Sequence, residues 1–202
     1  MKTSDTSARP VSPPIEGRTG GVSYFSIPEL CASATALREG IDNRPPECAY
    51  HLLHVLVEQL LDPIREAWGE PIVVSSGYRC KELNALVGGA KNSHHLLGCA
   101  ADLIAGNKAD HRRLFKLIQQ MQQSGQIRFT QLIWEGDGRW IHISYVPGML
   151  RNQVIDVNVD ANVNANENHP SGTNNAEKPK LTLTLSLSLE EKSALKEYQD
   201  SG

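Results

Sequence analysis

The chain has 202 residues, of which 40% are apolar, 21% charged and only 5% aromatic, with a formal net charge of −3. This excludes a basic nucleic-acid surface and an aromatic stacking platform for single strands, so no nucleic-acid partner is expected. Four cysteines (Cys31, Cys48, Cys80 and Cys99) form no C-x-x-C pair, which excludes a zinc ribbon or a thioredoxin motif.

Residues 1–21 are rich in Ser, Thr, Pro and Gly and read as a disordered leader. They contain no apolar run of the signal-peptide kind, and no later stretch approaches the roughly 20 apolar residues of a membrane helix. The expectation is a protein made in the cytoplasm with reduced thiols and no membrane span.

Order begins at "VSYFSIPEL", where Ser26 can cap and Pro28 can open a helix. "NRPPE", residues 43–47, is a loop. In "CAYHLLHVLVEQLLDPIREAWG", Leu52, Leu53, Leu56, Leu60 and Leu61 recur at helical spacing, and Pro63 is expected to kink or interrupt the helix. "PIVVSSGYR" is a short β-branched strand entering a polar turn, and "KELNALVGG" is a short helix stopped by glycines. "CAADLIAG" is another strand, and "KADHRRLFKLIQQMQQSG" a longer helix ending at Gly125. "FTQLIWEGDGRWIHISYV" is a hairpin. The pattern predicts an α+β fold with a small, mainly antiparallel sheet and packed helices over residues 22–150.

Residues 151–180 are Asn-rich and read as a linker. Residues 181–202 form a tail whose Leu alternation is a strand pattern. An added edge strand and a self-association element both fit that tail, and the oligomeric state is left open.

Chemistry concentrates in two places. In "WIHIS", strand alternation sends Ile141 and Ile143 to the core, and Trp140, His142 and Ser144 to the other face. In "SHHLLGCAAD", six residues separate His95 from Asp102, and the stretch between can turn and enter a strand. Two nearby ligands with a third from a distant strand is a common zinc arrangement that leaves a position open for water. Taken alone, His142 reads better as a surface histidine of a half-exposed sheet.

Together, "SGYR", "LN…VGGA", "SHHLLGCAAD" and "WIHIS" resemble the zinc D-alanyl-D-alanine carboxypeptidase family. The same fold group holds D-Ala-D-Ala dipeptidases, phage L-alanyl-D-glutamate endolysins and the Hedgehog domain, and the short phage and prophage branch is the nearest in pattern. The resemblance runs from "YFSIPEL" to "HISYVPG". It implies one zinc ion per chain on His95, Asp102 and His142, with His94 and Ser144 supporting them. It implies that Arg79 faces the substrate, with Trp140, Tyr78 and Ser93 as wall candidates, the last two more readily structural than chemical. Several members carry an acidic residue three positions before the last ligand, where this chain has Arg139, which accepts no proton. Glu135 is the leading candidate base and Asp137 the runner-up.

The implied activity is hydrolysis of amide bonds in peptidoglycan stem peptides containing D-amino acids, by a DD-carboxypeptidase or an L-Ala-D-Glu-type endopeptidase. The alternative is an inactive zinc module that binds cell wall or a protein partner. Without an export signal, action on the wall would require lysis, a pore or delivery in a particle. His51, His54, His111 and His169 read as helix, packing or linker residues, and Cys99 as a small buried residue.

Overall fold

The computed structural model describes residues 23–156. The leader, most of the Asn-rich stretch and the Leu-alternating tail lie outside them. Helix α1 (Ile27–Cys31) starts where the Ser26 hydroxyl accepts the Glu29 N–H, with Pro28 in the first turn. Helix α2 (Ala34–Glu39) is capped in the same way by Ser33 and ends at Gly40. Helix α3 (Glu47–Leu56) runs through a π turn (Val57–Leu61) into α4 (Asp62–Trp68). The expected interruption at Pro63 is therefore absent. Proline lacks an N–H and crowds the carbonyl four residues back, and one wide turn relieves both without ending the helix.

Strand β1 (Val73–Ser76) leads through a loop to α5 (Lys81–Leu86) and then to a 3₁₀ turn (His94–Leu97). Strand β2 (Ala100–Ile104) follows, then α6 (Lys108–Gln123), opened by an Asn107–Asp110 capping box. Strands β3 (Gln131–Glu135) and β4 (Trp140–Ser144) form the expected hairpin. The last strand, β5 (Gln153–Asp156), pairs in parallel with β3. It lies within the stretch expected to be linker from residue 151, so the sheet reaches past that boundary. Four residues are too few for alternation to announce a strand.

The sheet order is β1-β2-β4-β3-β5, antiparallel except for β3 with β5. One face carries Ala101, Leu103, Leu132, Trp134, Ile141 and Ile143 into a core shared with Leu53, Leu56, Leu60 and Ile64 of the helical run, and with Leu114, Phe115 and Ile118 of α6. Each fully buried leucine or isoleucine there contributes about 1.5–3 kcal/mol. The helices thus claim one face of the sheet, and Asp102, Gln131, Glu135, His142 and Ser144 stand on the other. Among the described residues, no helix is long and apolar enough to cross a membrane.

Candidate metal centre

Asp102 of β2 and His142 of β4 are direct partners across the antiparallel ladder. Opposite residues share a face with Cβ atoms about 5 Å apart, so both side chains rise from the same spot. His95 comes from the 3₁₀ turn. Ser93 caps that turn by accepting the His95 N–H, and Gly98 closes it at φ 74°. A Cβ on Gly98 would stand 2.5 Å from the Ala49 carbonyl oxygen, so the turn fits against α3 only as glycine. The His95 Nδ1–H donates to the Gly77 carbonyl at 2.6 Å, which leaves the Nε2 lone pair facing Asp102 and His142.

The three donor atoms form a triangle. His95 Nε2 lies 3.2 Å from Asp102 Oδ1 and 3.2 Å from His142 Nδ1, and the last two are 2.9 Å apart. A tetrahedral zinc with bonds of about 2.0–2.1 Å has ligand–ligand edges of about 3.3 Å. The donor set therefore fits a zinc ion with one open position. Among the described residues no other His, Cys, Asp or Glu joins this group of ligand-type side chains.

Charge favours the same use. Burial pushes the Asp102 carboxyl up, but the adjacent His95 and His142 outweigh it and hold the group well below the usual carboxylate range. Burial pushes His95 below the ordinary imidazole value, against the opposing pull of Asp102. An ionised carboxylate and an unprotonated imidazole are the forms a metal requires.

Around the triangle the structure distributes the other expected residues. Arg79 lies beside Asp102, its Nη1 3.9 Å from Oδ2, and it donates to the Ser76 hydroxyl at 3.2 Å. Glu135 stands opposite Trp140 in the hairpin, on the same sheet face as His142. Its Oε2 accepts the Trp140 indole N–H at 3.1 Å. Burial lowers the Arg79 pKa from the ordinary arginine value, against the opposing charges of Asp102 and Glu135. His94 bonds through Nδ1 to the Ser144 hydroxyl at 3.0 Å. Burial, with help from the neighbouring His142, His95 and Arg151, lowers the His94 pKa to about 4.

Tyr78, Ser93 and Asp137 are engaged elsewhere in the fold. Tyr78, 7% exposed, packs in the main core. The Ser93 hydroxyl is engaged as the cap of the His95 turn. Asp137 is exposed at the hairpin tip and pairs with Lys108 at 2.9 Å. Arg139 bonds back to the Gly136 carbonyl and stacks 5.0 Å over the Trp140 ring. Cys99 is fully buried, its thiol pushed up to about 12 by burial. His51 and His54 are exposed on α3. His111, read as a bland helix residue, is buried, and its Nδ1–H donates to the Gly138 carbonyl at 2.7 Å. His169 lies outside the described residues.

The family model for peptidase M15 matches residues 23–144, which include every element from α1 through β4. The chain belongs to the peptidase M15 family. A zinc D-Ala-D-Ala carboxypeptidase of Streptomyces albus G is 49% identical to this chain over 77 residues. That match covers 38% of this chain and 28% of the relative's length.

Proposed function

We propose that this protein is a zinc peptidase that cuts amide bonds in peptidoglycan stem peptides, as a DD-carboxypeptidase or an L-Ala-D-Glu-type endopeptidase. The observation that carries the reading is the buried donor triangle of His95, Asp102 and His142, joined on the same sheet face by a carboxylate and flanked by a guanidinium. Zinc held by His95, Asp102 and His142 supplies Lewis-acid polarisation of a carbonyl and acidifies water near neutral pH. Glu135 takes a proton from the attacking water and returns it to the departing amine. Trp140 restrains the Glu135 carboxylate through its indole N–H. Arg79 presents a two-pronged donor that orients a peptide carboxylate or the developing oxyanion. Gly77 holds the His95 ring through its carbonyl, and Ser144 holds His94. The curated relative, named a zinc D-Ala-D-Ala carboxypeptidase, supports the same substrate class.

The second reading is a binding module without turnover. It is favoured by Arg139, which stands three residues before His142 where several relatives carry an acid. Mass spectrometry of soluble muropeptides incubated with the zinc-loaded protein separates the two. New termini name the bond, and their loss in Glu135→Gln by about 10²-fold or more assigns the base. Intact muropeptides with zinc bound at one per chain support the binding module.

A further inference from the structure

The β3–β4 hairpin ends in an unusual turn. Gly136, Asp137 and Gly138 all have positive φ, at 58°, 56° and 80°. The Glu135 carbonyl accepts both the Gly138 N–H at 2.9 Å and the Arg139 N–H at 3.1 Å. Three successive left-handed residues are accessible chiefly to glycine, and an aspartate there carries a conformational cost. Such a turn keeps its shape when neighbouring structure holds it.

Helix α6 provides that hold from one face. Lys108, His111, Arg112 and Phe115 recur at i, i+3, i+4 and i+7. The Lys108–Asp137 pair is exposed and weak. The Arg112 guanidinium lies 3.9 Å over the Trp134 ring, and Phe115 meets the same ring edge-on. Gly138 packs directly on Trp134, where an added Cβ would stand 2.7 Å from Cε2. His111 is the buried tie, its Nδ1 2.7 Å from the Gly138 oxygen.

Because its partner is a carbonyl, Nδ1 carries the hydrogen. Nε2 is then left as a buried acceptor that meets no hydrogen-bond partner among the described residues. Burying a polar atom in that way costs about 1–3 kcal/mol. An imidazole is therefore a poor choice for filling this core position, and its distinguishing contribution is the directed bond to Gly138.

The bond is continuous with the candidate base. His111 donates to the Gly138 carbonyl, and the Gly138 N–H donates to the Glu135 carbonyl. We infer that His111 is a positioning residue for Glu135, setting the hairpin turn so that the Glu135 carboxylate points into the cleft. This rests on the reading of Glu135 as the base.

The test is a double-mutant cycle with His111→Leu and Glu135→Gln. Both are assayed for kcat and KM on soluble muropeptides, and zinc content is measured on every protein. A displacement of the base by about 1 Å costs up to about 10²-fold. The expected result is a loss of kcat of about 10-fold or more in His111→Leu, with KM and zinc content unchanged. In the Glu135→Gln background the same substitution then changes kcat less than twofold. His111→Asn keeps a side-chain N–H near the position of Nδ1, and it is expected to retain kcat within about threefold. If His111→Leu does not fold, His111→Asp, which presents acceptors where His111 donates, takes its place in the cycle. A folded variant with wild-type kcat, or an equal loss in both backgrounds, overturns the inference while leaving the base assignment standing. Full activity in Glu135→Gln overturns the base assignment, and the inference with it.

Discussion

Gly77→Ala tests how the metal site is tied to the fold. An alanine Cβ at this position would overlap the Leu30 carbonyl oxygen, with the Leu30 carbonyl carbon at 2.9 Å and its Cα at 3.0 Å. Carbon pairs rest at about 3.5–4.0 Å, so α1 and the loop after β1 must separate by roughly 1 Å. Leu30 is fully buried, and its carbonyl also accepts the Tyr78 N–H at 2.8 Å, so neither side yields freely. Overpacking of this kind costs about 1–3 kcal/mol, and weakening the Tyr78 bond adds about 1 kcal/mol. For a domain of this size the sum lowers Tm by roughly 8–15 °C. The Gly77 carbonyl also orients His95 at 2.6 Å, and disturbing such an outer partner costs about 10–100-fold in metal affinity. Calorimetry of the metal-free protein reads the first effect, and zinc titration against a chromophoric chelator reads the second. Unchanged Tm would refute the steric argument. A lowered Tm with unchanged zinc affinity would refute the assignment of Gly77 as the anchor of His95.

Other predictions follow from the same geometry. Zinc at a free concentration of 100 times its Kd is expected to raise stability by about 2.7 kcal/mol, with no rise in His142→Ala, as read by thermal melts. His94 has a folded pKa of about 4 against an ordinary 6.5, so the unfolded chain takes up its proton first as pH falls. Its contribution to stability is therefore complete above pH 6.5 and is lost between pH 6.5 and 4, by about 3 kcal/mol in total. Urea melts of metal-free His94→Gln across that range are expected to show an acid limb shallower by that amount. Asp137→Asn removes only an exposed pair with Lys108, so both Tm and muropeptide cleavage are expected to stay near wild type; a loss of cleavage comparable to that of Glu135→Gln would refute the placement.

The sequence carried the long-range order of the chain better than its short irregular parts. Helix α6 announced itself as a long stretch stopped by Gly125, and β4 through strict alternation from Trp140 to Ser144. Alternation is a property of the backbone, so the face of His142 was legible before its neighbours were known. The 3₁₀ turn that delivers His95 was not legible, because its shape depends on Gly98 approaching the Ala49 carbonyl of a distant helix. Tyr78 and Ser93 illustrate another limit. Residue type left a polar wall and a structural role both open, and the fold uses one as core and the other as a cap. His111 looked ordinary because its partner, the Gly138 carbonyl, is a backbone atom 27 residues away and has no side-chain signature. The π turn ahead of Pro63 and the four-residue β5 were too local to leave a pattern.

The central claim is that His95, Asp102 and His142 hold a zinc ion that makes this chain a peptidase. Its most direct test is the release of new amino termini from purified peptidoglycan, measured for chelator-treated protein before and after zinc is restored, with His142→Ala alongside. No release is expected without metal, with recovery on addition of about one zinc per chain and no recovery in His142→Ala. Release that persists after complete metal removal, or that returns with zinc in His142→Ala, would contradict the claim.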